Sequence, residues 1–215
     1  MKAKLAGLRK SYEKGTLDME QITDNPIQLF QTWFYEAKES DSIDEANAMS
    51  LTTLGLDGYP RARVVLLKDY SEEGFVFFTN YHSDKGKSLL KHPKVGLSFY
   101  WPVLERQIII KGTAEQLSAE RSNQYFHSRP RGSQLGAHVS PQSEVISDRK
   151  FLEDRQAEFE KKYENTEIPR PKHWGGILVI PYEIEFWQGR PNRLHDRICY
   201  VLENGLDWKT KRLAP

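Results

Sequence analysis

The stretch Met49-Ser-Leu-Thr-Thr-Leu-Gly-Leu56-Asp57-Gly58-Tyr59-Pro-Arg61-Ala-Arg63-Val-Val-Leu-Leu-Lys68 decides the fold class. Apolar residues of strand type flank Asp57-Gly58, a pair that supplies the positive φ a tight hairpin turn requires. The pattern predicts antiparallel strands from Met49 to Leu56 and from Arg61 to Lys68. Downstream, Phe75 to Asn80 reads as a third strand after the turn at Glu73-Gly74. Ser83 to His92 reads as a short helix ended by Pro93. Val95 to Trp101 and Glu105 to Gln116 make a further pair around Pro102. Helices are predicted from Ser118 to His127, with Ser118 as N-cap, and from Asp148 to about Tyr163. Beyond the loop Ile168 to Pro171 come strands over Gly176 to Gln188 and Arg193 to Leu202, with a terminal strand near Trp208.

Upstream, Asn25-Pro26 opens a helix, with Asn as N-cap, Pro at the first helical position and Gln28 at the capping-box position. Phe30, Trp33, Phe34 and Ala37 follow at the spacing of one apolar face. Residues 1–24 are polar and weakly patterned, and are expected to form a mobile arm with one or two helical turns. Residues 25–215 are expected to form a single domain. Consecutive strands with late helices and no βαβ alternation predict a mainly β, α+β chain built as a small antiparallel barrel.

Charge limits the partners. Lys and Arg number 31 against 30 Asp and Glu in 215 residues, so the basic excess of a nucleic-acid or membrane-surface binder is missing. Any anion site must come from local clustering. The single cysteine, Cys199, forms no intrachain disulfide and no thiolate-rich metal site, and fits a reducing compartment. No apolar segment follows the basic start at Met1 to Lys10, and no run approaches ~18 apolar residues, so a cytoplasmic location without membrane contact is expected.

Familiar phosphate cradles are missing too. Neither GxGxxG nor GxxxxGK[ST] occurs, GxSxG is absent, and the six histidines show no HExxH spacing, so no metal is expected. A phosphate would have to be held by side chains on a β-scaffold. Three segments concentrate suitable groups. The first joins Arg61, Arg63 and Lys68 to Thr79 and Ser83-Asp84-Lys85; Arg forks match phosphate oxygens, while strand-edge charges that block aggregation are the plainer reading. In a regular strand Arg63 and Lys68 point to opposite faces, roughly 16 Å apart at ~3.3 Å per residue. The second is Tyr125-Phe-His127-Ser-Arg129-Pro-Arg131-Gly-Ser133-Gln134, an expected irregular cationic loop, or simply a helix end with cations at its C-terminus. The third is Glu185-Phe-Trp187-Gln-Gly-Arg190-Pro-Asn-Arg193-Leu-His195-Asp196-Arg197, where Arg193, His195 and Arg197 alternate along a predicted strand, either as a site or as a solvated face. Three such clusters on a small neutral chain suggest two phosphorylated ligands.

Further motifs carry a resemblance. Arg63-x-x-Leu66-Leu67-Lys68, Glu105-Arg106-Gln107, Tyr125-Phe126-His127-Ser128-Arg129-Pro130, Trp174-Gly175-Gly176, Glu185-Phe186-Trp187-Gln188-Gly189, Arg193-Leu194-His195-Asp196-Arg197 and Arg212-Leu213-Ala214-Pro215 resemble the pyridoxine/pyridoxamine 5′-phosphate oxidase family, in family order from about Leu8 onward. The resemblance implies an FMN-binding split β-barrel and a homodimer with FMN at the subunit interface. It implies FMN contacts at Arg63, Lys68, Phe78, Thr79, Lys85, Gln107, Gln142, Ser143, Trp187 and Arg197. It implies a substrate phosphate among Lys68, Tyr125, Arg129 and Ser133, with Arg193 and His195 flanking the pyridine ring as the catalytic pair. Arg9 and Tyr12 resemble residues that close over bound substrate.

The implied reaction oxidises the 4′ carbon of pyridoxamine 5′-phosphate or pyridoxine 5′-phosphate to the aldehyde, with dioxygen reduced to hydrogen peroxide and ammonia released from the amine. Two departures stand out: Phe78-Thr79 where many members have Tyr-Thr, and Ser83-Asp84-Lys85 where many have Ser-Arg-Lys. Asp84 is expected to point away from a phosphate. The competing readings are a flavin- or haem-binding split-barrel protein without oxidase activity, which has no need of the substrate set, and an interaction module without cofactor, which would purify colourless.

Overall fold

A computed structural model describes residues 7, 9–205 and 207–215. Its helices are α1 (Pro26–Lys38), α2 (Asp84–Lys91), α3 (Ala119–Ser128), α4 (Arg131–Val139) and α5 (Arg149–Lys162). Its strands are β1 (Ala48–Leu54), β2 (Pro60–Leu66), β3 (Asp69–Ser71), β4 (Gly74–Asn80), β5 (Lys94–Trp101), β6 (Arg106–Gln116), β7 (Trp174–Gln188), β8 (Asp196–Glu203) and β9 (Asp207–Leu213). Capping residues set the helix starts: Asn25 accepts from Ile27 N, Ser83 from Gly86 N, Ser118 from Arg121 N and Asp148 from Phe151 N.

The strands join one sheet in the order β2-β1-β5-β6-β7-β4-β3, and β8 links β7 to β9. At 15 residues, β7 changes partners along its length. Its first half pairs antiparallel with β4, from Trp174↔Asn80 to Val179↔Phe75; its second half pairs antiparallel with β8, from Glu183↔Val201 to Gln188↔Asp196. Pro181 lies between the halves, and having no N–H it cannot extend a ladder there.

Two compact units result. One gathers the chain through Ser50 with Gly96–Lys111 and Pro181–Pro215; the other holds Leu51–Val95 and Gly112–Ile180. In the first, α1 buries Phe30 and Trp33, which meet Phe99 and Phe186 edge-on at 5.3 and 5.2 Å. Its buried polar ends are matched, Trp101 Nε1 donating to Ala46 O and Tyr200 OH to Thr23 O. In the second, Phe126, Leu135, Ala137, Ile168 and Trp174 form a core against which Phe78, Tyr125, Phe159 and Tyr163 pack.

The structure corrects several readings. The segment after Arg129 is no irregular loop: Arg129 is extended, Pro130 sits at an N-cap with φ −53°, and α4 starts at Arg131. Proline ends α3 yet presets the backbone for a second helix, and Gly132 and Gly136 do not break it. The strand expected from Arg193 begins only at Asp196. Pro191–Arg193 form a 3-10 turn with Asn192 and Arg193 at φ 56° and 63°, so no regular strand aligns Arg193, His195 and Arg197. The hairpin strands stop at Leu54 and Leu66, which leaves Lys68 beyond the strand. The short strand β3 was not anticipated. Residues 9–18 contain no helix, and a 3-10 turn follows at Met19–Gln21.

Candidate active site

A cavity of ≈ 490 Å³ opens in the second unit. Lys68, Tyr125, Arg129 and Ser133, the group expected to hold a substrate phosphate, all line it, together with Phe78, Thr79, Lys85 and Gln142 from the expected cofactor set. Local structure explains the gathering. Lys68 N donates to Val76 O, which fixes Lys68 just past β2 beside β4. Tyr125 lies in the last turn of α3, Arg129 follows that helix, and Ser133 stands in the first turn of α4. The proline break is what brings them together.

Aromatic packing holds this wall. Phe78 stacks on Tyr125 at 3.8 Å between centroids and on Trp174 at 5.5 Å. The position therefore serves through its ring, which accounts for a phenylalanine without the hydroxyl. Gly176 permits the packing: a Cβ there would lie 2.4 Å from Leu117 Cδ1 and 2.9 Å from Phe78. The Arg129 guanidinium lies 4.4 Å over the Trp174 ring. Burial pulls its pKa below the usual arginine value, with Tyr125 opposing. Arg129 Nη1 is buried with no hydrogen-bond partner among the described residues. An orphaned cationic donor in a cationic cavity fits an anionic ligand.

A second cavity, ≈ 360 Å³, is lined by Arg61, Arg63, Asp84 and Ser88 among others. Arg63, expected to share a ligand with Lys68, lines this cavity and not the first. Its Nη1 donates to Thr53 Oγ1 at 2.7 Å and to Leu51 O at 3.3 Å. Burial lowers its pKa, and Arg61 adds to the effect. Lys85 is pulled down to about 8, chiefly by burial, then by Arg63, with Asp84 opposing. It reaches Gln142 Oε1 at 2.7 Å. Asp84 turns to Arg61 at 2.7 Å in an exposed ion pair. Ser143, at φ 74°, is exposed and does not line the first cavity beside Gln142.

The remaining predicted residues lie in the first unit. Trp187 and Arg197 are register partners on β7 and β8. Arg197 grips Glu185 with both prongs at 2.8 and 3.0 Å, which raises its pKa, and also donates to Ala214 O. His195 packs on Trp187 at 4.6 Å, and its Nδ1 accepts from Arg190 N at 3.1 Å. Acceptance at Nδ1 selects the neutral tautomer with the proton on Nε2. Burial, with Arg193 assisting, lowers the His195 pKa and favours that neutral form. Tyr12 meets Trp187 and His195 edge-on at 5.7 and 5.6 Å. Arg193 and Arg9 are exposed, and Gln107 is half-buried on β6.

Sequence reasoning missed Asn80 and gave Trp174 no role, although both line the first cavity. The Trp174-Gly175-Gly176 motif carried the signal: a Cβ at Gly175 would lie 2.1 Å from Tyr81 OH, a close approach only glycine allows.

A family model for pyridoxamine 5′-phosphate oxidase matches residues 36–163, and one for the C-terminal dimerisation region of pyridoxine 5′-phosphate oxidase matches residues 174–215. The pyridoxine/pyridoxamine 5′-phosphate oxidase of Flavobacterium johnsoniae is 53% identical over 210 residues, 98% of each chain. That of Christiangramia forsetii is 53% identical over 215 residues, covering all of both. Among solved structures, PhzG from Burkholderia lata, in complex with tetrahydrophenazine-1-carboxylic acid, is 29% identical with a TM-score of 0.87, covering 96% of this chain and 100% of its own. A pyridoxamine 5′-phosphate oxidase-related FMN-binding protein from Nostoc punctiforme shares the fold at a TM-score of 0.70, 15% identity, and 90% and 100% coverage. With both family models matched and full-length identity above half, the chain belongs to the pyridoxine/pyridoxamine 5′-phosphate oxidase family, on an antiparallel split-barrel fold.

Proposed function

We propose that the protein oxidises pyridoxamine 5′-phosphate or pyridoxine 5′-phosphate to pyridoxal 5′-phosphate, with FMN as cofactor and dioxygen as electron acceptor, and works as a homodimer in the cytoplasm. The observation that carries this is the cavity lined by Lys68, Tyr125, Arg129 and Ser133, with Arg129 Nη1 buried and without a hydrogen-bond partner among the described residues. A phosphate dianion would complete that donor set. Binding the remote phosphate fixes the reacting carbon, so its interaction energy serves orientation. When bound, FMN accepts the hydride equivalent and passes electrons to dioxygen.

The residues present fit that cofactor. Arg63 and Lys85 supply cations, Thr79 a hydroxyl and Gln142 an amide, while Trp187, Gln107 and Arg197 offer a ring face and donors; Ser143 would act through its backbone. Arg193 covers the pyridine ring. His195, with its proton on Nε2, serves as an orienting donor there. Arg9 and Tyr12 close over bound substrate, with residues 1–24 as the arm of one oxidase domain spanning 25–215. The match of residues 174–215 to a dimerisation region supports the dimer. The single, buried thiol of Cys199 suits a reducing compartment.

A cofactor-binding protein without oxidase activity has no use for the phosphate clamp. The test is aerobic incubation of the purified FMN-loaded protein with pyridoxamine 5′-phosphate. Pyridoxal 5′-phosphate and peroxide should form together, and an inert yellow protein would overturn the reading.

A further inference from the structure

Glu105 is a buried carboxylate at 2% exposure, in the turn that leads into β6. Its backbone is left-handed, at φ 56°, a conformation that side-chain-bearing residues rarely adopt. The surroundings hold it there: Glu105 N donates to Pro102 O, and Glu105 O accepts from Gly189 N at 2.7 Å and Gln188 Nε2 at 3.2 Å. Neither a turn nor a strand end requires a buried charge at this place.

That charge meets the N-terminal segment. Oε2 accepts from Glu13 N at 2.7 Å and Lys14 N at 3.0 Å, and Oε1 meets Lys10 Nζ at 2.9 Å. Between these anchored residues stands Tyr12, with its ring against Trp187 and His195. A Cβ on Gly189 would lie 2.8 Å from Tyr12 Cγ and 3.1 Å from Glu105 Cβ, so the tyrosine fills the space the glycine leaves. Further along, Leu17 is held separately, its N–H by Asp196 and its carbonyl by Arg212. Between the two anchors, Gly15 O accepts from Arg190 Nη1 at 3.2 Å.

We propose that Glu105 is a positioning residue, whose carboxylate fastens Lys10 to Lys14 and thereby seats Tyr12 beside Trp187 and His195. The assignment goes beyond the proposed oxidase reading and rests on it for the part Tyr12 plays with substrate. Glu105 itself touches no reacting atom.

The test compares full-length, FMN-loaded wild type with Glu105→Gln, Glu105→Asp, Lys10→Ala and Tyr12→Ala. Glutamine keeps the shape but removes the charge that three donors share. In Glu105→Gln, tryptic cleavage after Lys10 and Lys14 should quicken about tenfold or more, the scale of losing one hydrogen bond to a charged group. KM for pyridoxamine 5′-phosphate should rise by a similar factor while kcat changes less than about twofold, because binding is lost and chemistry is not. Glu105→Asp should recover part of the KM. In a Tyr12→Ala background, Glu105→Gln should add nothing to KM, since both act through one contact. Additive KM effects, or cleavage no faster than wild type, would overturn the proposal. Lys10→Ala, which leaves only the Lys14 site to read, should show a smaller rise in cleavage after Lys14 and in KM, and unchanged cleavage after Lys14 would count against it. Tryptic cleavage needs no turnover, so a failed oxidase assay would strike the functional reading and leave Glu105 separately testable.

Discussion

Lys85 shows how one residue couples burial to ligand binding. Held at about 8 by desolvation and by Arg63, it carries its proton at neutral pH and loses it in mildly alkaline solution. A phosphate beside it favours the charged form, so FMN binding should take up a proton as pH rises through that value. Flavin fluorescence titrations of the apoprotein should show affinity level below about pH 8 and falling as pH rises above it, and Lys85→Met should flatten the profile. An unchanged affinity in wild type would remove Lys85 from the cofactor site. Asp84→Asn, by contrast, should change FMN affinity less than about threefold, because its exposed pair with Arg61 contributes little. Arg129→Ala should lower kcat/KM for pyridoxamine 5′-phosphate about a hundredfold, the scale of losing one or two charge-assisted hydrogen bonds. Steady-state kinetics decide it. Only the family resemblance grouped Lys68 with Tyr125, Arg129 and Ser133, because in the sequence they lie in two separate clusters that the fold brings to one cavity. The environment of His195 could not be read from the sequence, because its tautomer depends on the Arg190 amide, which the loop places and no spacing predicts.

At the scale of elements, caps and turn residues spoke clearly. Asn25-Pro26, Ser83, Ser118 and Asp148 each begin the helix expected of them. The failures lie where backbone conformation defeats a pattern. Asn192 and Arg193 are left-handed, so an alternation that looked like a strand became a turn. α4 was hidden by its proline and glycines, and its end is secured from another helix: Arg155 of α5 donates to Val139 O at 2.8 Å and His138 O at 3.1 Å. Those carbonyls would otherwise go unsatisfied at the helix C-terminus. Arg155→Ala should therefore destabilise the protein by roughly 1–3 kcal/mol and raise KM, since α4 carries Ser133. Denaturant unfolding alongside kinetics tests both halves. A KM change without loss of stability would point to a direct role for Arg155.

At the scale of the whole molecule, the antiparallel class followed from the first hairpin, whereas the division of β7 between β4 and β8 did not. Pro181 marks that division, yet a proline in a long apolar run reads equally as an edge or a bulge. The C-terminal strands β8 and β9 fall within the match to a dimerisation region, a surface no single sequence displays.

The account depends most on a phosphate clamp that gives the enzyme its substrate. The most direct measurement compares kcat/KM for pyridoxamine 5′-phosphate with that for pyridoxamine lacking the phosphate, on the FMN-loaded enzyme in air. The clamp predicts equimolar pyridoxal 5′-phosphate and peroxide from the ester, and at least about a thousandfold lower kcat/KM without the phosphate, as expected when several charge-assisted contacts go unmade. Similar values for the two amines would contradict it.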